Sequence, residues 1–245
     1  MKVDRASNPP SPTLDQTSLP EFAGRDISRP FVVALEGANG AGKSTLCRIL
    51  AQSFGAHACL GTDEAWFSEV FKTRMIRDAE WYVSAMFFLS GCLEQMRVLR
   101  NCPQPLIIMD RSLWSTLAVQ GGHNPERLET LLAMLRPVAA QIHVPDLTLV
   151  LDASFETCQS RIARKSGAAR RLDDLTANAA FHAREQAFYR WLARHRAEVR
   201  FLNANPTGPE TIAGQASALI TETAGERCQA RHPGGPDGAS PSAAT

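Results

Sequence analysis

The run FVVALEGANGAGKST, residues 31–45, constrains this chain more than any other stretch. Five apolar residues, 31–35, predict a β-strand; a glycine-rich loop follows, then a helix-forming run over about 43–53. The loop fits GxxxxGK[ST] at each specified position, reading Gly37, Ala38, Asn39, Gly40, Ala41, Gly42, Lys43 and Ser44, with Thr45 next. Its glycines let the backbone turn until successive N–H groups converge, and the positive end of the following helix adds to the field at that point. Such a point takes phosphate. Lys43 is expected to span the outer phosphates of a nucleoside triphosphate, and Ser44 to ligate Mg2+.

A strand–loop–helix of this kind needs a parallel sheet around it, and the chain supplies one. Short apolar runs at 57–60, 106–109, 147–151 and 199–202 alternate with helical patterns at about 79–100, 125–138, 154–164, 176–195 and 209–223. This predicts an α/β fold of the P-loop NTPase type: three layers, about five parallel strands, helices on both faces. At 245 residues the expectation is a single domain. Residues 1–28 are rich in Pro, Ser, Asp and Thr, and 225–245 in Gly, Pro and small polar residues, so both are expected to be disordered, leaving 29–224 as the folded unit.

Lysine plus arginine, 26, nearly cancels aspartate plus glutamate, 25, so the chain lacks the basic excess that binding to nucleic acid requires. Its 6 cysteines are scattered without the paired spacing of a zinc site, which predicts reduced thiols. No apolar run approaches the roughly 18 residues of a membrane span, and the N-terminus lacks a signal-peptide core. A cytoplasmic protein without membrane or nucleic-acid partners is expected.

A second constellation follows the strand LIIM. Asp110 lies at the carboxyl end of that strand, where it faces the ligand crevice and can hold the metal; otherwise it caps the next helix. Arg111 beside it presents a guanidinium fork that matches phosphate geometry. Later in the chain Arg161, Arg164, Lys165, Arg170 and Arg171 cluster around the small residues 166–169. An arginine segment of that kind can close as a lid over a migrating phosphoryl group, or simply end a solvated helix. Arg170 and Arg171 are the candidates for the lid function, and Arg164 for adenine or phosphate.

Taken together, LEGANGAGKST and DRSLWSTLAVQGG resemble the thymidylate kinase signature, and PDLTLVLD at 145–152 and Phe181-His182-x-Arg184 follow in the family's order. The resemblance covers about residues 31–223 and implies transfer of the γ-phosphoryl group of ATP to dTMP, with Mg2+ as cofactor and a homodimer as the assembly. Residue by residue it implies Lys43 and Ser44 for the donor, Asp110 for the metal, Arg111 for the acceptor phosphate, and Ser115 with Gln120 for the acceptor nucleoside. Phe88 matches the aromatic that stacks on the base, although an aromatic in an apolar helical run also suits a core. Asn39 stands where the family has the aspartate that recognises the acceptor sugar. Residues 61–66 read GTDEAW in place of an arginine-glutamate-proline-glycine turn, and 91–95 read GCLEQ where a phosphate-binding arginine is expected. Two other readings stay open. One is a deoxynucleoside kinase, with Asp63 or Glu64 as the base for a 5′-hydroxyl; the other is an ATP-binding regulatory module without turnover.

Overall fold

The computed structural model describes residues 13–23, 28–60, 68–122, 124–164, 178–205 and 208–231. Five strands form the sheet: β1 (Phe31–Glu36), β2 (His57–Leu60), β3 (Leu106–Asp110), β4 (Leu147–Asp152) and β5 (Val199–Asn203). Their order is β2-β3-β1-β4-β5, and all neighbours are parallel. The helices are α1 (Lys43–Phe54), α2 (Glu69–Arg77), α3 (Trp81–Arg100), α4 (Leu113–Gln120), α5 (Pro125–Leu135), α6 (Phe155–Ala163), α7 (Ala179–His195) and α8 (Pro209–Arg231). The five parallel strands are those that the apolar runs predict. β1 lies at the centre, with Leu35 in register with Asp110 of β3 and Leu149 of β4.

Strand alternation divides the core into two layers. Val33 and Leu35 of β1, with Leu147, Leu149 and Leu151 of β4, face Leu46 and Leu50 of α1 and Ile212, Ala216 and Ile220 of α8. Val150 faces the other way, into Trp114 and Leu117 of α4, Leu128 and Leu132 of α5, and Phe188 and Trp191 of α7. Because side chains alternate along a strand, Glu36 shares the side of Val32 and Ala34 and points under α4 and α7. A carboxylate thus enters an apolar layer, and its partners are described below.

Two helices lie where periodicity gives no warning. α4 carries Leu113, Trp114, Ser115, Thr116, Leu117 and Ala118 all buried, so it has no polar face from which a 3.6-residue period could be read. α2 follows the substituted segment 61–67, which lies outside the described residues. The expected helix over 125–138 ends at Leu135, and a 3₁₀ turn at Arg136–Gln141 takes over.

Order also extends past both expected boundaries. Within residues 1–28, expected to be disordered, Leu14–Gln16 forms a 3₁₀ turn. Phe22 is buried edge-on against Trp114 at 5.6 Å, and the Ala23 N–H donates to the carbonyls of Ala139 and Ile142 at 3.1 Å. At the other end α8 continues to Arg231, past the expected limit of 223. Composition undervalues both segments because their few anchoring groups dock on surface that the rest of the domain has already built.

One buried ion cluster ties these ends to the sheet at the edge away from the phosphate loop. Asp146, just before β4, accepts from Arg29 Nη1 at 2.8 Å and Nη2 at 3.1 Å, from Arg227 Nη1 at 3.3 Å, and from the Val32 N–H at 2.8 Å. Arg227 also donates to the Arg29 carbonyl at 2.8 Å and lies over the Phe31 ring at 5.5 Å. Asp146→Ala would leave two buried guanidinium groups without this anion. Removing one partner of a buried pair costs about 3–5 kcal/mol, which in a domain of this size lowers the unfolding midpoint by about 10 °C, measurable by thermal unfolding followed by circular dichroism.

Candidate active site

All five strands present their carboxyl ends to one edge, and the loops leaving β1, β3 and β4 meet there. Gly37 and Gly40 adopt φ of +122° and +84°. A Cβ on Gly37 would come 2.7 Å from the Leu151 carbonyl oxygen, and one on Gly40 would come 2.5 Å from that of Cys158. The loop therefore lies against β4 and α6 too tightly for any side chain at either position. From α6, Arg161 braces the same loop, donating from Nη1 to the Ala41 carbonyl at 2.9 Å and from Nη2 to Ala204 at 2.8 Å. By its position in the sequence Arg161 belongs to the expected lid cluster; in the structure its fork is spent on backbone.

A cavity of about 660 Å³ opens over this loop. Residues 39–46 form its floor, Asp110 and Arg111 one wall, and Arg161, Arg164, Pro209 and Ile212 the far side. That volume lies within the usual range for a ligand pocket, about 300–1,000 Å³. Lys43, buried at the start of α1, donates from Nζ to the carbonyls of Gly37 and Ala38, each at 2.8 Å. Burial pushes its pKa down to about 8; Arg111 adds to the effect, and Asp110, Glu185 and Glu36 oppose it. Ser44 Oγ donates to Asp110 Oδ2, and Asp110 Oδ1 is buried without a hydrogen-bond partner. A hydroxyl and a carboxylate with an unsatisfied oxygen, side by side at the floor of an anion pocket, suit a hard divalent cation that takes its other ligands from phosphate and water.

Arg111 sits at the junction between this cavity and the helices on the α3 side. Its backbone has φ of 76°, the one positive value among described residues other than glycine. Its guanidinium donates from Nη1 to Ser115 Oγ at 3.1 Å and from Nη2 to Asn39 Oδ1. Burial works against its charge, but Asp110, Glu185, Tyr189 and Glu36 outweigh it and raise its pKa.

The expected acceptor residues are distributed as follows. Asn39 is held by Arg111. Ser115 is buried, with its hydroxyl directed to Glu36. Gln120 Nε2 donates to Ser84 Oγ at 3.0 Å across the α3–α4 contact. Phe88, one helical turn beyond Ser84, is half-buried and meets Phe87 edge-on at 5.1 Å. Cys92 stands where the arginine was expected, its thiol 3.4 Å from the Thr116 hydroxyl, and burial raises its pKa to about 11. Arg164 ends α6 and lines the cavity, donating to the Ser160 carbonyl at 3.2 Å. Asp63, Glu64, Lys165, Arg170 and Arg171 lie outside the described residues.

Two buried acids, Glu36 and Glu185, join the site without a motif that announces them. Glu36 accepts from the Ser112 N–H at 2.8 Å, Ser112 Oγ at 2.6 Å, Tyr189 Oη at 2.9 Å and Ser115 Oγ. Burial pushes its pKa up, while those hydroxyls and Arg111 pull the other way. Glu185, on the buried face of α7, is also raised by burial and lowered by Arg111 and Lys43. The signal for Glu36 was present, since the alternation of FVVALE carries its last residue onto a covered face. Glu185 and Tyr189 follow the Phe181-His182-x-Arg184 stretch and share its helix, but only the packed helix shows which face turns inward.

A P-loop whose lysine, hydroxyl–carboxylate pair and neighbouring guanidinium converge on one cavity in a five-stranded parallel sheet defines a phosphotransferase of the P-loop kinase class. The thymidylate kinase family model matches residues 35–212, and the chain belongs to that family. It is an ATP-dependent phosphotransferase. The fold is similar to that of thymidylate kinase from Candida albicans, with 18% identity, 81% of this chain and 94% of that one covered, and a TM-score of 0.64. It is also similar to deoxyadenosine kinase from M. mycoides with bound dATP (16% identity, 78% and 99% covered, TM-score 0.61). The same enzyme with dCMP and dCDP matches at 16% identity, 78% and 100% covered, and a TM-score of 0.62. No curated protein matches the chain significantly.

The lowered pKa of Lys43 yields a pH dependence. Phosphate binding favours the ammonium form, so MgATP affinity should hold below pH about 8 and weaken above it, by up to about tenfold per pH unit, until the pKa of the bound state is passed. Isothermal titration of MgATP between about pH 7 and 9.5 measures this, and a flat profile would mean that Lys43 keeps its charge throughout.

Proposed function

We propose that the protein transfers the γ-phosphoryl group of ATP to dTMP, giving dTDP and ADP, in the cytoplasm. The observation that carries this reading is the position of Arg111: its guanidinium touches Asn39 of the phosphate loop and Ser115 of α4, between the donor cavity and the helices that carry Phe88 and Gln120. An acceptor whose phosphate pairs with that fork would lie beside the donor cavity, where one of its oxygens can attack the γ-phosphorus. The new P–O bond forms to that oxygen as the bond to the β-phosphate oxygen breaks, and no base is needed because the nucleotide phosphate is already largely ionised.

Lys43 stabilises charge on the outer phosphates as it spreads during transfer, leaving the loop carbonyls it now meets. Ser44 and Asp110 would hold Mg2+, which supplies neutralisation of the phosphate charge. Arg164 lies on the far wall of the donor cavity, where adenine or phosphate would reach it. Arg170 and Arg171 complete the reading as the lid that excludes water. The homodimer implied by the family would cover the exposed apolar side chains Val70, Phe71, Tyr82, Val83 and Met86 on α2 and α3.

One observation favours a second reading. Cys92 puts a thiol at the position where the resemblance implies an arginine for a monophosphate, and a thiol with its pKa raised by burial does not replace a cation. A deoxynucleoside acceptor, with Asp63 or Glu64 as base, needs no such arginine. Turnover of dTMP, dUMP, the other monophosphates and the free deoxynucleosides decides between the two. dTMP as the best acceptor is the expected result, and turnover of nucleosides alone would transfer the site to the second reading. Lys43→Ala should lower kcat by at least about 100-fold with the unfolding midpoint intact. Arg111→Ala should raise the acceptor KM by about tenfold or more while the ATP KM stays within about twofold.

A further inference from the structure

Arg111 combines two features that rarely coincide: a left-handed backbone conformation at a residue with a long side chain, and a guanidinium aimed at a ligand junction. A non-glycine residue at φ 76° persists only where its surroundings hold it there. On the N-terminal side the Arg111 N–H donates to the Leu35 carbonyl at 3.0 Å, the bond next to Glu36 in the β1–β3 ladder. On the C-terminal side the Ser112 N–H and hydroxyl both reach Glu36 Oε1, at 2.8 and 2.6 Å. The side chain is held through Ser115, which accepts from Arg111 Nη1 and donates to Glu36 Oε2. One carboxylate therefore restrains the residue after Arg111 and the hydroxyl that receives its guanidinium.

The direction of each bond is fixed by what lies behind it. Ser112 Oγ accepts from the Trp114 N–H at 3.2 Å, so its proton is directed to Glu36. Ser115 Oγ accepts from a guanidinium, which has no acceptor to offer, so its proton is also directed to Glu36. With the Ser112 N–H, three donors converge on a group that must accept from all of them. Tyr189 Oη, 2.9 Å from Oε2 and 3.5 Å from Ser115 Oγ, closes the fourth side and brings in α7, the helix that follows the lid segment in sequence.

We infer that Glu36 is a positioning residue for Arg111: with Tyr189 and Ser115 it locks the guanidinium, and the strained backbone beneath it, in the orientation that receives the acceptor. The acceptor part of this inference rests on the proposed function; the locking does not. Among the described residues Glu36 hydrogen-bonds Ser112, Ser115 and Tyr189 and no group that lines the cavity; its charge also supports that of Lys43, so the kinetic measurements below use Tyr189→Phe and Ser115→Ala, which leave the carboxylate in place.

Two measurements separate the parts. The first is the guanidinium N–H signal of Arg111 in nuclear magnetic resonance, assigned by its loss in Arg111→Ala. An ordered, slowly exchanging signal in the native protein should broaden or vanish in Glu36→Gln and weaken in Tyr189→Phe, whereas a signal unchanged in both overturns the inference. Tyr189→Phe and Ser115→Ala remove single hydroxyls and serve if Glu36→Gln does not fold.

The second is a double-mutant cycle on the acceptor KM. Tyr189→Phe and Ser115→Ala should each raise it by about 3- to 10-fold in the native background, with the ATP KM within about twofold, and by less than about twofold in the Arg111→Ala background. Equal losses in both backgrounds would show that the network acts independently of Arg111 and overturn the positioning role. If the signal is lost as expected while Arg111→Ala itself leaves the acceptor KM unchanged, the positioning stands and the acceptor assignment of Arg111 falls.

Discussion

The site depends on what happens at the carboxyl end of β1. A parallel strand can be joined to its neighbours only by crossovers, so the strand's exit loop, the exits of β3 and β4 and the starts of three helices are all drawn to one edge. Within two residues of that exit, Glu36 turns under α4 and α7 while Gly37 presses against the backbone of Leu151. The phosphate loop and Arg111 are thereby tied to the same strand end. Displacing β1 by one residue would exchange its two faces, placing Glu36 in the aliphatic layer of α1 and α8.

The charges at this edge form a mutually dependent set. Lys43 and Arg111 are cations held in buried or half-buried positions, and Asp110, Glu36 and Glu185 are the acids around them. Burial raises the pKa of Glu36 and Glu185 and lowers that of Lys43, so each group disfavours its own charge while the opposite charges restore it. In the proposed reaction, nucleotide phosphates entering such a site would replace the carbonyls at Lys43 and meet a hydroxyl–carboxylate pair suited to a divalent cation. The opposite edge of the sheet, away from the phosphate loop, is organised by one anion, Asp146. Its two arginines fasten the chain on either side of the domain.

Much of this was legible in the residues themselves. The loop at 37–44 and Asp110-Arg111 at a strand end carry their chemistry in their types and spacing, and the five apolar runs at their spacings require a parallel sheet. Glu185 and Tyr189 were not legible in the same way, because a helix with buried residues at 185, 186, 188, 189, 191 and 192 offers several inward directions. The resemblance implies a ligand contact for Ser115, and in the folded chain its hydroxyl links Arg111 to Glu36. Arg161 likewise reads as a mobile cation, but the backbone carbonyls of Ala41 and Ala204 hold it.

The sequence by itself determined the local geometry and the class of chemistry, since a glycine-rich turn between a strand and a helix converges N–H groups whatever surrounds it. It also determined the sheet, because short apolar runs separated by helices have few other ways to be buried. Tertiary structure alone decided which polar groups became structural and which remained open to ligand. That choice depends on desolvation: a carboxylate or guanidinium enclosed by packing must find partners from elements far apart in the chain. Glu36 found Ser112, Ser115 and Tyr189, and Asp146 found Arg29 and Arg227, through contacts that no local pattern encodes.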